Sequence, residues 1–161
     1  MIQNFPRTTL ETLLAFFNRC WEAGTVPMAW KQATVFAVPK AGKPPSSPNS
    51  YRPISLTPHV GKIYERMIKY RLEYHLEKNN IIPTIQSGFQ RGRGCSDHVV
   101  KISAHVKKAL AKRRTVLAAF YDVQRAYDSV WHGRLLQKLS NIGISGNMYN
   151  FCKSFLSERS F

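Results

Sequence analysis

Leu10, Leu13, Leu14, Phe17 and Trp21 recur at helical spacing, and Thr8 with Glu11 three residues later reads as a capping box that opens the helix. Gly24 closes it and Pro27 prevents its renewal. The short β-rich run from about Ala33 to Val38 predicts a strand, and Ser50 to Leu56 a second extended segment. Between them, Pro39-Lys40-Ala41-Gly42-Lys43 and a Pro/Ser stretch make a basic turn and loop, so the pair forms a hairpin with a mobile basic tip. Pro58 precedes a long helix to about Lys78, with Ile63, Met67, Tyr70 and Tyr74 on one stripe. A Gly/Arg-rich loop, Gly88 to Gly94, leads to a helix from about Ser96 to Lys112 whose buried face is Val99, Ile102, Val106 and Leu110. Thr115 to Tyr121 reads as a fully buried strand that delivers Asp122 at its end. Two more helices follow, near Trp131 to Asn141 and Asn147 to Leu156. Helices outnumber strands without regular alternation, which makes the fold class α+β.

Charge changes the picture next. Within 161 residues, 24 Lys+Arg oppose 9 Asp+Glu, a formal net charge of +15. A domain this basic suits a polyanionic partner, and nucleic acid is the commonest. A solvated basic surface that binds nothing is the other reading. Cys20, Cys95 and Cys152 are an odd number, far apart, with no zinc spacing and no disulfide framework. They fit a reducing compartment. No apolar run approaches the length that spans a bilayer, and the N-terminus has no signal-peptide pattern. The expectation is an intracellular protein without a membrane partner, in nucleus or cytoplasm.

The residue with the sharpest chemistry is Asp122, which follows the apolar run Val116-Leu117-Ala118-Ala119-Phe120-Tyr121. A carboxylate at the end of a buried strand must be hydrogen-bonded, paired or metal-bound. In phosphoryl transfer such carboxylates hold two Mg²⁺ ions, and one aspartate cannot build that site alone. Taken alone, Asp122 is more simply a helix N-cap or a partner for an arginine. Tyr127 by itself is an ordinary core aromatic. Asp128 reads as a structural hydrogen bond or cap. His98 and His105 share a helix side but lack further ligands, and the histidines are structural or surface residues. Trp21, Trp30 and Trp131 read as core or hinge packing.

The segment Phe120-Tyr121-Asp122-Val123-Gln124-Arg125-Ala126-Tyr127-Asp128-Ser129-Val130-Trp131-His132 closely resembles motif A of non-LTR retroelement reverse transcriptases. The pieces Trp30-Lys31-Gln32-Ala33, Lys40-Ala41-Gly42-Lys43 and Tyr51-Arg52-Pro53-Ile54-Ser55-Leu56 resemble the fingers hairpin of the same family, with Ala41 where its turn usually has Pro. Gly61 to Met67 and the loop Gln86 to Arg93 continue the likeness, although Gln90 stands where a basic residue is usual, and the closing Phe155 to Phe161 resembles the segment that precedes motif B, particularly in jockey-type elements.

By resemblance, Asp122 is the first catalytic, metal-binding carboxylate, and the Val123 carbonyl a further metal ligand. Lys40 and Arg52 grip the incoming triphosphate, as a point charge and a bidentate fork respectively. Ala126 and Tyr127 contact the substrate, Tyr127 as the steric gate that leaves no room for a 2′-hydroxyl. Lys43, Lys62, Arg91 and Arg93 contact nucleic acid. The likeness implies Mg²⁺ or Mn²⁺ as cofactor, and an RNA template, a DNA primer and deoxynucleoside triphosphates as partners. It implies the fingers and partial palm of a right-hand fold. Residues from about 8 to 114 would be the fingers, with the basic hairpin at 33–56, and residues from about 115 to 161 the start of the palm.

Motif B and the paired-aspartate motif C do not occur, and the sequence contains no Asp-Asp dipeptide. The expectation is a fragment of an RNA-directed DNA polymerase that does not polymerise by itself. A retroelement relict with at most non-specific nucleic-acid binding is the alternative. Intron-encoded maturases and telomerase are a third class, against which the Trp-Lys-x-Ala and Tyr-Arg-Pro-Ile-Ser-Leu pieces speak.

Overall fold

The computed structural model describes residues 4–160. Helix α1 (Arg7–Ala23) starts one residue before the expected capping box, directly after Pro6. Proline suits that place because its ring presets φ and it has no N–H to leave unsatisfied. Thr8 therefore lies inside the helix and caps nothing; Glu11 instead pairs with Arg7 at 2.9 Å. Gly24 ends α1 with φ +61°, and a Cβ there would lie 2.5 Å from Cβ of Asn150, so both backbone and space demand glycine.

A one-turn helix, α2 (Met28–Lys31), leads into β1 (Thr34–Pro39). A 3₁₀ turn at Pro48–Ser50 precedes β2 (Tyr51–Leu56), and the two strands form an antiparallel hairpin in register from Thr34↔Leu56 to Pro39↔Tyr51. Then come α3 (His59–Lys78), α4 (Cys95–Ala111), α5 (His132–Asn141) and α6 (Gly146–Leu156). The expected elements are all present except the strand before Asp122. The chain divides into two compact units: residues 4–74 with 131–160, and residues 75–130.

The first unit holds the core. Phe17 and Cys20 of α1, Val26, Trp30 of α2, Tyr64 and Ile68 of α3, and Phe151 of α6 are buried together. Tyr64, 2% exposed, is the hub: its ring lies 5.2 Å from Phe17, 5.6 Å from Trp30 and 5.6 Å from Phe151. The buried ridge of α3 is thus Gly61, Tyr64 and Ile68, not the expected stripe, whose Tyr70 and Tyr74 are exposed. Both sets have helical spacing; the small Gly61 decides between them. A Cβ there would press to 3.2 Å from Trp30, so glycine lets α2 approach without a shift of a few tenths of an ångström. Trp131 is exposed rather than core, with the Arg134 guanidinium over its ring at 5.2 Å.

Three further ties close this unit. The Val26 N–H donates to Ser154 Oγ at 2.9 Å. The buried Lys31 ammonium meets Glu158 at 3.6 Å. Ser160 forms a parallel bridge with Gln32, its carbonyl accepting the Ala33 N–H at 2.9 Å.

In the second unit, α4 forms with the expected boundaries. Asp97 accepts a hydrogen bond from the Gly94 N–H at 2.7 Å, which fixes the helix start. None of its residues is buried, however, and Val99, Ile102 and Leu110 are exposed. A helix needs only its own hydrogen bonds to form, whereas burying a face needs an element laid against it. Residues 115–121 are not a strand and are not buried: Leu117, Phe120 and Tyr121 are 96%, 83% and 94% exposed. A strand is held by its ladder, and this unit contains no second strand to pair with.

Among the described residues the buried Tyr64 hydroxyl has no hydrogen-bond partner, and burial pushes its pKa up to about 12. Removing that hydroxyl relieves a desolvation cost of about 1 kcal/mol, while removing the ring costs about 3–5 kcal/mol. Urea unfolding is expected to show Tyr64→Phe at or above the parent midpoint and Tyr64→Ala well below it. A Tyr64→Phe midpoint clearly below the parent would mean that the hydroxyl is bonded in solution.

Candidate functional site

The basic hairpin is the best-defined part of the candidate site. Lys40 extends the β1–β2 ladder by one rung, its N–H donating to the Ser50 carbonyl at 2.7 Å. Its ammonium donates to the Asn49 carbonyl at 2.7 Å, which uses one of three donors and fixes the charge at the root of the tip. The Lys43 N–H returns to the Lys40 carbonyl at 3.3 Å across a turn in which Gly42 has φ +73°. A left-handed third residue is what a type II turn requires, and Ala41 takes the second place, where proline is common. Arg52 stands opposite Val38. Alternation along the paired strands puts it on the same side as Ser50 and the opposing Lys40. The Tyr51 hydroxyl donates to the Pro45 carbonyl at 3.0 Å and ties the loop back to its base. Lys40, Lys43 and Arg52 have no ion pair among the described residues. The tip therefore gathers three cations with unneutralised charge.

Lys62 belongs to the same unit, exposed near the start of α3. Beside it Glu65 is half-buried; burial raises its carboxyl pKa, against the opposing pull of Arg159 and Lys62. Arg159 sits 3.6 Å from Glu65 and 4.0 Å over the Phe155 ring.

Arg91 and Arg93 share one loop of the second unit. Arg91 is exposed, whereas Arg93 Nη1 donates to the carbonyls of Thr84 at 2.6 Å and Gln86 at 3.2 Å. Part of the Arg93 fork thus staples the loop, in which Phe89 and Gly92 take positive φ. Asp122, Val123, Ala126 and Tyr127 lie on an exposed turn segment. The turn closes by Ser129 N–H to the Arg125 carbonyl at 2.9 Å, with Arg125 at φ +51°. Neither Asp122 nor Asp128 makes a side-chain hydrogen bond or ion pair among the described residues, so Asp128 is not the cap expected of it.

The described residues bring no group of three or more His, Cys, Asp or Glu side chains together around a metal position. Asp122 supplies one carboxylate and Val123 one carbonyl, which does not complete a site for a divalent ion. The three cysteines are free, and burial raises the thiol pKa of Cys20 and Cys152. Among the described residues no helix is long and apolar enough to cross a membrane.

The structure thus groups Lys40, Lys43 and Arg52 on one hairpin and the motif A residues on one turn. Sequence reading passed over the groups that hold the tip in place, the Asn49 carbonyl and the Tyr51 hydroxyl. The Pro48-Asn49 pair, a turn signal just before β2, was the available clue.

Residues 38–161 match the family model described as reverse transcriptase (RNA-dependent DNA polymerase). Over 160 residues, 99% of the chain, it is 36% identical to the RNA-directed DNA polymerase from mobile element jockey of Drosophila melanogaster, covering 17% of that protein. It is 32% identical to the probable RNA-directed DNA polymerase from transposon BS of the same species, covering 18% of it. It is 25% identical over 135 residues, 84% of the chain, to a Pol polyprotein from the type-1 retrotransposable element R2 of Popillia japonica. The chain spans less than a fifth of the length of these curated relatives. With most of its length matched by one family model and nearly all of it by these relatives, the chain belongs to the reverse transcriptase family, among those of non-LTR, jockey-type retrotransposons.

Proposed function

We propose that these residues form the fingers and the first part of the palm of an RNA-directed DNA polymerase. In it, a primer 3′-hydroxyl attacks the α-phosphate of a deoxynucleoside triphosphate on an RNA template. The observation that carries this reading is the hairpin tip. Three cations without ion pairs among the described residues lie on that hairpin, within a chain of net charge +15 that belongs to the family. In this assignment residues 8–114 are fingers and residues 115–161 begin the palm.

Lys40 and Arg52 bind the triphosphate. The ammonium is held at Asn49 and acts as a point charge; the guanidinium offers its planar fork. Lys43 and Lys62, with Arg91 and the donors of Arg93 that remain after its loop contacts, neutralise backbone phosphates. Ala126 and Tyr127 lie under the sugar, where the Tyr127 ring excludes a 2′-hydroxyl. Asp122 and the Val123 carbonyl contribute to a site for Mg²⁺ or Mn²⁺ that needs further carboxylates from outside these residues. For that reason the isolated chain does not polymerise. The free cysteines fit a reducing, intracellular compartment, nucleus or cytoplasm.

Three outcomes test this reading. In a polymerase that carries this segment, Asp122→Ala is expected to lower primer extension by about 10³-fold, several kcal/mol of lost charge stabilisation, with circular dichroism unchanged. Extension that survives the change would remove Asp122 from the metal site. Under the same conditions Tyr127→Val is expected to raise ribonucleotide relative to deoxynucleotide incorporation; an unchanged ratio would make Tyr127 a packing residue. For the chain itself, Lys43→Ala/Lys62→Ala/Arg91→Ala is expected to reduce the slope of log K against log salt for single-stranded RNA by about 2, since each lost phosphate contact removes about 0.7. A slope equal to the parent's would place the nucleic acid elsewhere.

A further inference from the structure

Among the described residues of the first unit, Glu158 alone carries a Cβ in the left-handed region, at φ +53°. Such a conformation has a cost for any residue but glycine, and it persists where the surroundings require it. Here the turn sends three successive residues to three different partners. Glu158 reaches the Lys31 ammonium at 3.6 Å. Arg159 meets Glu65 at 3.6 Å, and the Phe155 carbonyl accepts its Nε–H at 2.9 Å. The Ser160 N–H donates to the Lys31 carbonyl at 3.3 Å, and its own carbonyl accepts from the Ala33 N–H at 2.9 Å.

These partners share one place in the fold. Lys31 ends α2, Ala33 directly precedes β1, and Glu65 lies in α3, which follows β2. Residues 158–160 therefore clasp both roots of the hairpin from outside it. The Lys31 side chain is 4% exposed while that of Glu158 is 71% exposed. Removing the carboxylate would strand a buried charge, which an exposed pair such as Arg7–Glu11 does not risk. None of residues 157–160 belongs to the aromatic core, so the clasp can loosen while the core stays closed.

We infer that Glu158 is a positioning residue: through Lys31 it sets the angle at which the hairpin presents Lys40 and Arg52 to the triphosphate. The inference rests on the reading of the hairpin proposed above. Glu158 pairs with none of the hairpin cations, so it acts through the root of the arm and not on the nucleotide.

Three variants separate the carboxylate from the turn. Glu158→Gly keeps the left-handed backbone and removes the carboxylate. Glu158→Gln keeps the length and removes the charge. Glu158→Asp keeps the charge and tolerates the backbone. In a polymerase that carries this segment, the Gly and Gln variants are expected to raise KM for deoxynucleoside triphosphate about tenfold, with kcat within about twofold. Glu158→Asp is expected to recover most of that loss. In the complete 161-residue chain, Glu158→Gly is expected to speed amide hydrogen exchange at Ala33 and along β1 by about tenfold, with circular dichroism unchanged.

A parent KM in the Gly and Gln variants would overturn the inference, as would a lowered kcat in place of the raised KM, or no recovery in Glu158→Asp. A raised KM with unchanged exchange at Ala33 would overturn it too, because Glu158 would then act without moving the hairpin. Failure of the polymerase reading looks different. Arg52→Ala would then leave KM at the parent value while exchange at Ala33 still answered to Glu158→Gly, and the triphosphate role would fall for the hairpin and for Glu158 together.

Discussion

Tyr64 and Trp30 pack with their rings 5.6 Å apart, and this contact fixes both roots of the basic hairpin at once. Trp30 lies in α2, which ends at Lys31, three residues before β1; Tyr64 lies in α3, which begins at His59, three residues after β2. Whatever holds these two rings together therefore sets where the strands leave the core. Phe17 and Phe151 close the aromatic cluster from α1 and α6, so four helices meet on one phenol ring. Gly61 suits the contact, because a Cβ there would lie 3.2 Å from Trp30 and press the ring outward by a few tenths of an ångström. Such burial of large rings is the principal favourable term available to a small core. Leaving the Tyr64 hydroxyl unpaired is tolerable only because the ring around it gains more.

From that anchor the hairpin projects with every residue of β1 exposed and nearly every residue of β2. Its shape is a matter of backbone bonds rather than of a packed face: a full register of cross-strand pairs, the Lys40–Ser50 rung and the Tyr51–Pro45 tie. An arm of this kind keeps Lys40, Lys43 and Arg52 in water, where their charge acts at a distance and is not spent on internal ion pairs. The base is reinforced from the other end of the chain. Ser160 bridges to Gln32, and Glu158 reaches the buried Lys31. The residues that position the basic tip are thus separated from it by most of the sequence.

The second unit follows a different rule. Its structure is what local bonds can supply: a capped helix, a loop stapled by Arg93, and turns with residues in the left-handed region. The motif A segment belongs to this unit and adopts a turn with its carboxylate and aromatic ring open to solvent. Among the described residues no cluster of three or more His, Cys, Asp or Glu side chains gathers around Asp122.

Helices α1, α3, α4, α5 and α6 and the hairpin were legible in the sequence because each is encoded locally. Apolar spacing, Gly24 as a left-handed stop, Gly42 in the turn and β-branched runs act within a few residues of themselves. The family was legible for a related reason: motif A and the hairpin pieces are short, ordered stretches whose side chains identify them without knowledge of their surroundings. Three things were decided only by the tertiary structure. The face of α3 that is buried was settled by Gly61 against Trp30, a contact invisible in the helical spacing, which allowed either stripe. The run Thr115 to Tyr121 has every mark of a strand yet forms none, because a strand exists only with a partner edge. The apolar stripe of α4 likewise stays exposed, because hydrophobic periodicity states what a surface can bury and not whether anything is there to bury it.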